Sequence, residues 1–158
     1  MIIIERRGRI AAPTESVWEV VSDVRRLSGW FAGVNRAQLI SGSGYGRRQR
    51  MYGRWGRRRF ELDADVIAYR PPTLIAWWHV VERIEGRVAP RYARAVEVHV
   101  ELTPDGDDAT AIRLISVRRA PRGPLRPALL RLVRQHPAAE ELERSIAALG
   151  ARFLSAVS

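Results

Sequence analysis

The sequence predicts an α+β domain in which a curved antiparallel sheet of seven strands wraps a long C-terminal helix, with two short helices after the first strand. Three observations predict it. From residue 35 to residue 119, β-type runs alternate apolar and charged side chains, and glycine or proline interrupts them at near-regular intervals. A helical pattern separates the first β-type run from the rest. A longer helical pattern closes the chain, where Leu142, Ile146, Leu149, Phe153 and Val157 form one apolar stripe.

The elements follow in order. Residues Ile2 to Ile10 are β-rich and stop at Pro13. Thr14 is positioned as an N-cap with Glu15 near the positive helix end, and Val17, Trp18, Val20, Val21, Val24 and Leu27 recur at helical spacing. The run Ser28–Gly33 breaks that pattern and leaves room for a second short helix or turn. Strands are predicted at 35–41, 45–53, 57–69, 73–84, 93–103 and 110–119. Ser41-Gly42-Ser43-Gly44, the Gly53 to Gly56 segment, Arg70-Pro71-Pro72 and the Thr103–Asp108 loop supply the turns between them. Pro124, Pro127 and Pro137 bracket a short helical stretch holding Leu129, Leu132 and Val133. The final helix is predicted over 137–157, and Gly150 within it is read as a point of close packing or ligand access.

Alternation assigns faces to the strands. Phe60, Leu62, Ala64 and Val66 oppose Glu61, Asp63 and Asp65, and Val96, Val98, Val100 and Leu102 oppose Glu97, His99 and Glu101. One face of the sheet is therefore apolar and needs a cover, which the C-terminal helix provides.

Composition bounds the function. The 158 residues are 46% hydrophobic and 28% charged, the size and balance of one globular domain spanning 1–158. With no cysteine, disulfides, thiolate metal sites and a cysteine nucleophile are excluded. No apolar run reaches the roughly 20 residues of a membrane span, and Met1–Ile4 is too short for a secretory signal, so a cytoplasmic protein is expected. The net charge of +10 raises the possibility of nucleic-acid binding, but all 27 basic residues are arginine. A phosphate-binding surface ordinarily recruits lysine as well, so the skew reads as a compositional bias. Residues 47–59 hold seven arginines, two aromatics and no acid, an arrangement that could grip a single strand. Glu61, Asp63 and Asp65 follow at once and can pair with these arginines across strands, which argues against nucleic acid as a partner.

Three segments resemble a known superfamily. Ile10-Ala11-Ala12-Pro13-Thr14-Glu15-Ser16-Val17-Trp18 is similar to its entry into the first helix. Ser22-Asp23 followed by Trp30 is a second landmark, and Tyr69-Arg70-Pro71-Pro72 ahead of Leu74 and Trp77 is a third. The chain resembles the START-related SRPBCC superfamily of helix-grip proteins, in its polyketide cyclase/dehydrase-like branch. The resemblance implies a helix-grip fold with a cavity between the concave sheet face and the C-terminal helix. It also implies a hydrophobic or aromatic small molecule as ligand, and places Trp30 near the pocket mouth.

Inward parity nominates Phe60, Leu62, Val98, Val100, Leu114, Ser116, Leu142, Ile146, Leu149 and Phe153 as lining. Trp77 and Trp78 are adjacent, so one faces each way; both Leu74/Ala76/Trp78 and Ile75/Trp77/His79 fit the inner side. An indole on the outer face is a candidate homodimer contact. His79 is the candidate general base if Trp77 points inward. Arg50 and Tyr52 could hold ketone or enolate oxygens, while the opposite register would turn Gln49 and Met51 inside. No metal ligand set and no cofactor are expected.

Three functions remain open. A polyketide cyclase or aromatase needs two or more of Arg50, Tyr52, His79 and Ser116 inside, and its arginine-rich rim would suit an acyl carrier protein. A non-catalytic lipid or hydrophobic-ligand carrier needs a wholly apolar lining. A co-chaperone-like protein-binding module needs a collapsed cavity and an exposed aromatic patch around Trp55 or Trp77.

Overall fold

The computed structural model describes residues 1–88, 95–119 and 138–154, together with Pro124 and Pro127. The predicted stretch around Leu129, Leu132 and Val133 lies outside the described residues, as do His136 and Val157. The elements run β1 (Ile2–Ile10), α1 (Thr14–Val21), a 3-10 helix (Val24–Gly29), β2 (Val34–Ser41), β3 (Arg48–Trp55), β4 (Arg58–Arg70), β5 (Leu74–Ile84), β6 (Arg87–Val88), β7 (Ala95–Pro104), β8 (Thr110–Arg119) and α2 (Ala138–Leu154). Seven strands form one antiparallel path in the order β1-β8-β7-β5-β4-β3-β2. The two-residue β6, which the alternation did not predict, adds to β5 off that path.

The first helix is shorter than its apolar pattern suggested. The Ser22 hydroxyl donates to the Trp18 carbonyl at 2.6 Å, and Asp23 accepts from the Arg25 amide at 2.9 Å, capping the 3-10 helix that carries Leu27. The helical periodicity persisted through Leu27 because both helices turn their apolar residues onto the same core. Thr14 is not the N-cap: Pro13 occupies that position, and the Thr14 hydroxyl lies 3.1 Å from that of Thr110, buried against β8. β3 begins at Arg48 rather than 45, since Gly44 and Gly46 both take positive φ in the preceding turn.

The core lies between the concave sheet face and the helices, and includes Val17, Trp30, Met51, Val66, Ile75, Trp77, Val100, Leu114 and Leu149. α2 approaches β1 closely at Gly8, where an added Cβ would press on the Ile146 side chain. At its other end Gly150 faces Ile10 with room for a methyl group, the nearest atom lying 3.7 Å from an added Cβ. Gly150 thus packs against the sheet and does not open onto the cavity. Gly53 is a different case, because β3 passes so near the loop after the 3-10 helix that a Cβ there would collide with the Gly33 carbonyl and the Phe60 ring.

On the convex face, cross-strand partners carry opposite charge. Arg48 lies opposite Asp65 and Arg50 opposite Asp63, and the guanidinium-to-carboxylate distances are 2.7 and 2.6 Å. Asp63 is only 6% exposed despite its outward parity, because Arg50 and Arg83 close over it. The hydrogen bond from Arg50 holds the Asp63 carboxyl below the usual carboxylate range.

Two predictions follow from this packing. Gly53→Ala lowers stability by about 2 kcal/mol through overpacking, whereas Gly150→Ala raises it by about 0.5–1 kcal/mol through helix propensity; urea denaturation midpoints measure both. Asp63→Asn costs about 2 kcal/mol at neutral pH by leaving Arg50 without its counterion. Because the folded-state pKa of Asp63 is depressed, the wild-type advantage is present above the unfolded carboxylate pKa and disappears as pH falls through the folded one. Denaturation curves of the two proteins therefore converge on acidification.

Candidate functional site

A β-bulge decides what faces the interior. In the β4–β5 register Asp63 pairs with Val81 and Ala64 with His79, leaving Val80 as an extra residue on β5. Trp77 and His79 lie on the inner side before the bulge, and Glu82 and Ile84 lie on it afterwards, opposite Leu62 and Phe60. His79 and Glu82 are thereby brought together, with the imidazole Nδ1 3.2 Å from the carboxylate Oε1. A strand without the bulge would have turned Glu82 outward.

Between this face and the start of α2 lies a cavity of about 280 Å³, close to the lower end of the range of small-molecule sites. Its apolar part is built from Phe31, Val34, Met51, Phe60, Leu62, Trp77, Ile84, Val96, Val98 and Leu142. Phe31 stands edge-on to both Trp30 and Trp77, with ring centroids 5.4 and 5.6 Å apart. The remainder of the wall is polar: His79, Glu82, Ser116, Arg118 and Glu141, with Arg54, Glu61 and Arg83 also contributing.

Strand pairing explains why the polar groups converge. Val98 lies between Trp77 on β5 and Ser116 on β8. One step beyond the last β5–β7 pair, His79 stands level with Val96, whose partner on the far side is Arg118. The Arg118 Nε lies 3.5 Å from the Ser116 hydroxyl. Glu141 reaches the same region from the first turn of α2. Its own carbonyl accepts from the Ser145 hydroxyl at 2.7 Å, and that hydroxyl accepts from the Ala32 amide at 2.9 Å, which ties α2 to the loop beside the cavity.

The charges are buried enough to affect one another. Desolvation pushes the Arg118 guanidinium below its ordinary value, opposed by the nearby Glu141 and Glu82 carboxylates. Burial pushes the Glu141 carboxyl up, opposed by Arg118 and Arg144. Among the described residues no group of His, Asp and Glu is arranged to hold a metal ion.

Of the residues nominated from sequence, the structure brings Phe60, Leu62, Trp77, His79, Val98, Ser116 and Leu142 to the cavity wall. Val100, Leu114 and Leu149 share the inward side but are wholly buried in the core, and Ile146 and Phe153 pack against that core. Ile146 lies where α2 sits directly on β1 and β8. Trp30 is likewise buried, 2% exposed behind Phe31, and is absent from the wall. Trp78 is 40% exposed on the opposite side of β5 from Trp77. Arg50 and Tyr52 take the outward register: Arg50 pairs with Asp63, while the Tyr52 hydroxyl accepts from Gln38 Nε2 at 3.0 Å and Arg36 lies over its ring. Gln49 and Met51 turn inward instead, each 1% exposed.

Arg47, the first arginine of the 47–59 segment, is 9% exposed. It donates to the Ser22 carbonyl at 2.7 Å and to Gln49 Oε1 at 2.9 Å. His99 is half-buried beside Glu97 rather than free in solvent. The side chain of Trp55 lies outside the described residues. Arg118, Glu82 and Glu141 were not anticipated. Arg118 shares parity with Ile112, Leu114 and Ser116, and Glu141 belongs to the helical face of Ala138, Leu142, Ser145 and Leu149, so both had a periodic signal. Glu82 had none, since the bulge alone turns it inward.

Comparison with known proteins agrees with this architecture. No curated protein matches the sequence. Among solved structures, a START superfamily protein from Mycobacterium smegmatis is similar with a TM-score of 0.71 and 18% identity, covering 97% of each chain. The Zhui aromatase/cyclase from Streptomyces sp. R1128 is similar with a TM-score of 0.73 and 15% identity, covering 99% of this chain and 96% of that one. The di-domain ARO/CYC BexL of the BE-7585A biosynthetic pathway gives 0.76 and 15%, covering 98% of this chain and 47% of that one. At such identities these likenesses establish the helix-grip fold. The sequence family described as polyketide cyclase / dehydrase and lipid transport matches residues 1–153, and with it the chain is a member of that family within the START-like superfamily.

Proposed function

We propose that the cavity binds a hydrophobic or aromatic small molecule carrying ketone or hydroxyl oxygens, and that the protein promotes a cyclase- or dehydrase-type reaction on it. The observation that carries this reading is the amphipathic wall: His79 and Ser116 both face the cavity, beside Glu82 and Arg118, while Phe60, Leu62, Trp77 and Val98 enclose the rest. A carrier of purely apolar ligands has no need of a buried polar end, which costs desolvation unless it contacts something.

In this reading the ring system packs on the aromatic wall. His79, held by Glu82, accepts the proton lost from carbon next to a carbonyl. Arg118 and the Ser116 hydroxyl donate hydrogen bonds to the oxygen on which negative charge develops. Attack of the resulting enolate carbon on a second carbonyl closes the ring. The alkoxide so formed takes the proton back from His79, and the resulting β-hydroxy ketone loses water to give a neutral, conjugated product.

Delivery of the substrate by an acidic carrier protein fits the rim. Arg54, Arg57, Arg58 and Arg59 are exposed at the β3–β4 hairpin and form no ion pair among the described residues, so their field is available to an anionic partner. Carriage of a ligand without chemistry is the second reading, favoured by the apolar majority of the wall. A protein-binding module is disfavoured by the open cavity and by the burial of Trp77, which is 1% exposed.

Native mass spectrometry of the protein from a metabolite-rich lysate, compared with its denatured mass, tests the binding reading. A non-covalent adduct is expected in the wild type, and Leu62→Trp is expected to abolish it with an unchanged circular dichroism spectrum. The chemical reading is tested with a short poly-β-ketone thioester mimic. Wild type accelerates ring closure, and His79→Ala lowers kcat by about 100-fold with little change in KM. Equal rates for wild type, variant and buffer, with binding retained, would leave carriage as the function.

A further inference from the structure

The polar end of the cavity carries a charge pattern that discriminates between ligands of the same shape. Arg118 enters from β8, Glu82 from β5 and Glu141 from the first turn of α2. The guanidinium lies within electrostatic reach of both carboxylates. Glu141 is seated beside the Ala32–Gly33 loop, its Oε1 4.0 Å from where a Cβ on Gly33 would stand. His79 faces the same space and is already engaged with Glu82 at 3.2 Å. Among the described residues the other charged groups of the wall are Arg54, exposed to solvent, Arg83, which pairs with Asp63 and Glu61, and Glu61 itself. Arg144, on the same helix as Glu141, adds a further cation in its field.

Among the described residues of this half-buried cluster, then, one guanidinium stands with two carboxylates. A ligand group that carries a permanent negative charge beside Arg118 would add to the two carboxylates in the same half-buried space, where low dielectric strengthens like-charge repulsion, whereas an enolate formed in place leaves the net charge of the site unchanged because its proton stays on His79. A phenol, enol or ketone meets no such penalty: its oxygen accepts from Arg118, and a hydroxyl hydrogen is donated to Glu141 or Glu82.

We propose that Glu141 and Glu82 make this cavity selective for uncharged ligands bearing a hydroxyl or carbonyl oxygen and exclude ligands with a carboxylate or sulfonate at that end. The inference rests on the ligand-binding reading above and assigns the chemical class of the ligand. The two carboxylates act as specificity-determining groups, one supplied by the bulged strand and one by the C-terminal helix.

Isothermal titration of the purified full chain at pH 7 with 2-naphthol and with naphthalene-2-sulfonate tests it, since the two probes share a ring system and differ in charge. 2-Naphthol is expected to bind at least 10-fold more tightly. In Glu141→Gln and in Glu82→Gln, each verified as folded by circular dichroism, the ratio of the two affinities is expected to shift toward the sulfonate by roughly 10-fold, the equivalent of about 1.4 kcal/mol. Equal or tighter binding of the sulfonate by the wild type, or a ratio unmoved in both variants, overturns the charge selectivity while leaving the cavity as a binding site. Failure of both probes to bind overturns the binding reading along with it.

Discussion

The seat of α2 on the sheet governs the rest of the molecule. The helix presses on β1 at Gly8, where the missing side chain lets Ile146 descend onto the strand, and Gly150 lies against Ile10 further along. Arg6 Nε on β1 contacts Glu143 at 2.7 Å on the same approach. Docked at this edge, α2 packs on β1 and β8 and stands apart from β3, β4 and β5. The cavity occupies the space between. It is bounded at the helix start by Ala138, Glu141 and Leu142 and on the other side by Phe31 to Val34.

This arrangement separates two tasks that a single helical face performs. The C-terminal part of the stripe, with Leu149 wholly buried, supplies hydrophobic stabilisation by excluding water from the sheet. The N-terminal part contributes Leu142 and Glu141 to a wall with few neighbours on the cavity side. Ser145 stands between them, its hydroxyl linking the Ala32 amide to the Glu141 carbonyl, so the position of the wall is tied to the loop beside the mouth.

The convex face solves a separate problem. A sheet whose outer surface carries so many arginines would repel itself, and cross-strand carboxylates absorb that charge pair by pair. Arg113 illustrates the economy: it lies between Glu5 on β1 and Glu101 on β7, at 2.8 and 2.9 Å, so one guanidinium links three strands. Hydrogen bonds from Arg113 and Arg7 lower the Glu5 carboxyl to about 2. Arg54, Arg57, Arg58 and Arg59, which form no ion pair among the described residues, stand together at the β3–β4 hairpin, where Arg54 borders the cavity.

The sequence by itself determined the order of elements, the inward parity of β4, β7 and β8, and the apolar stripe of the last helix. These are periodic properties of one segment at a time, and burial of one face enforces them strongly. The Ile10–Trp18 entry, Ser22-Asp23 with Trp30, and the Tyr69–Pro72 turn carried the resemblance to the family. Tertiary structure alone decided which inward residues line a cavity and which are core: Val98 and Val100 have the same chemistry and parity, yet only the first borders the cavity. It also decided between the two registers of β3, because Arg50 and Tyr52 could be sorted from Gln49 and Met51 only once Asp63 stood opposite Arg50. The inward turn of Glu82 depended on a single extra residue in β5, Val80, whose presence is a matter of strand pairing rather than of local composition. A periodic pattern reports which side of its own element a residue occupies; what stands across from it is settled by how distant elements pack.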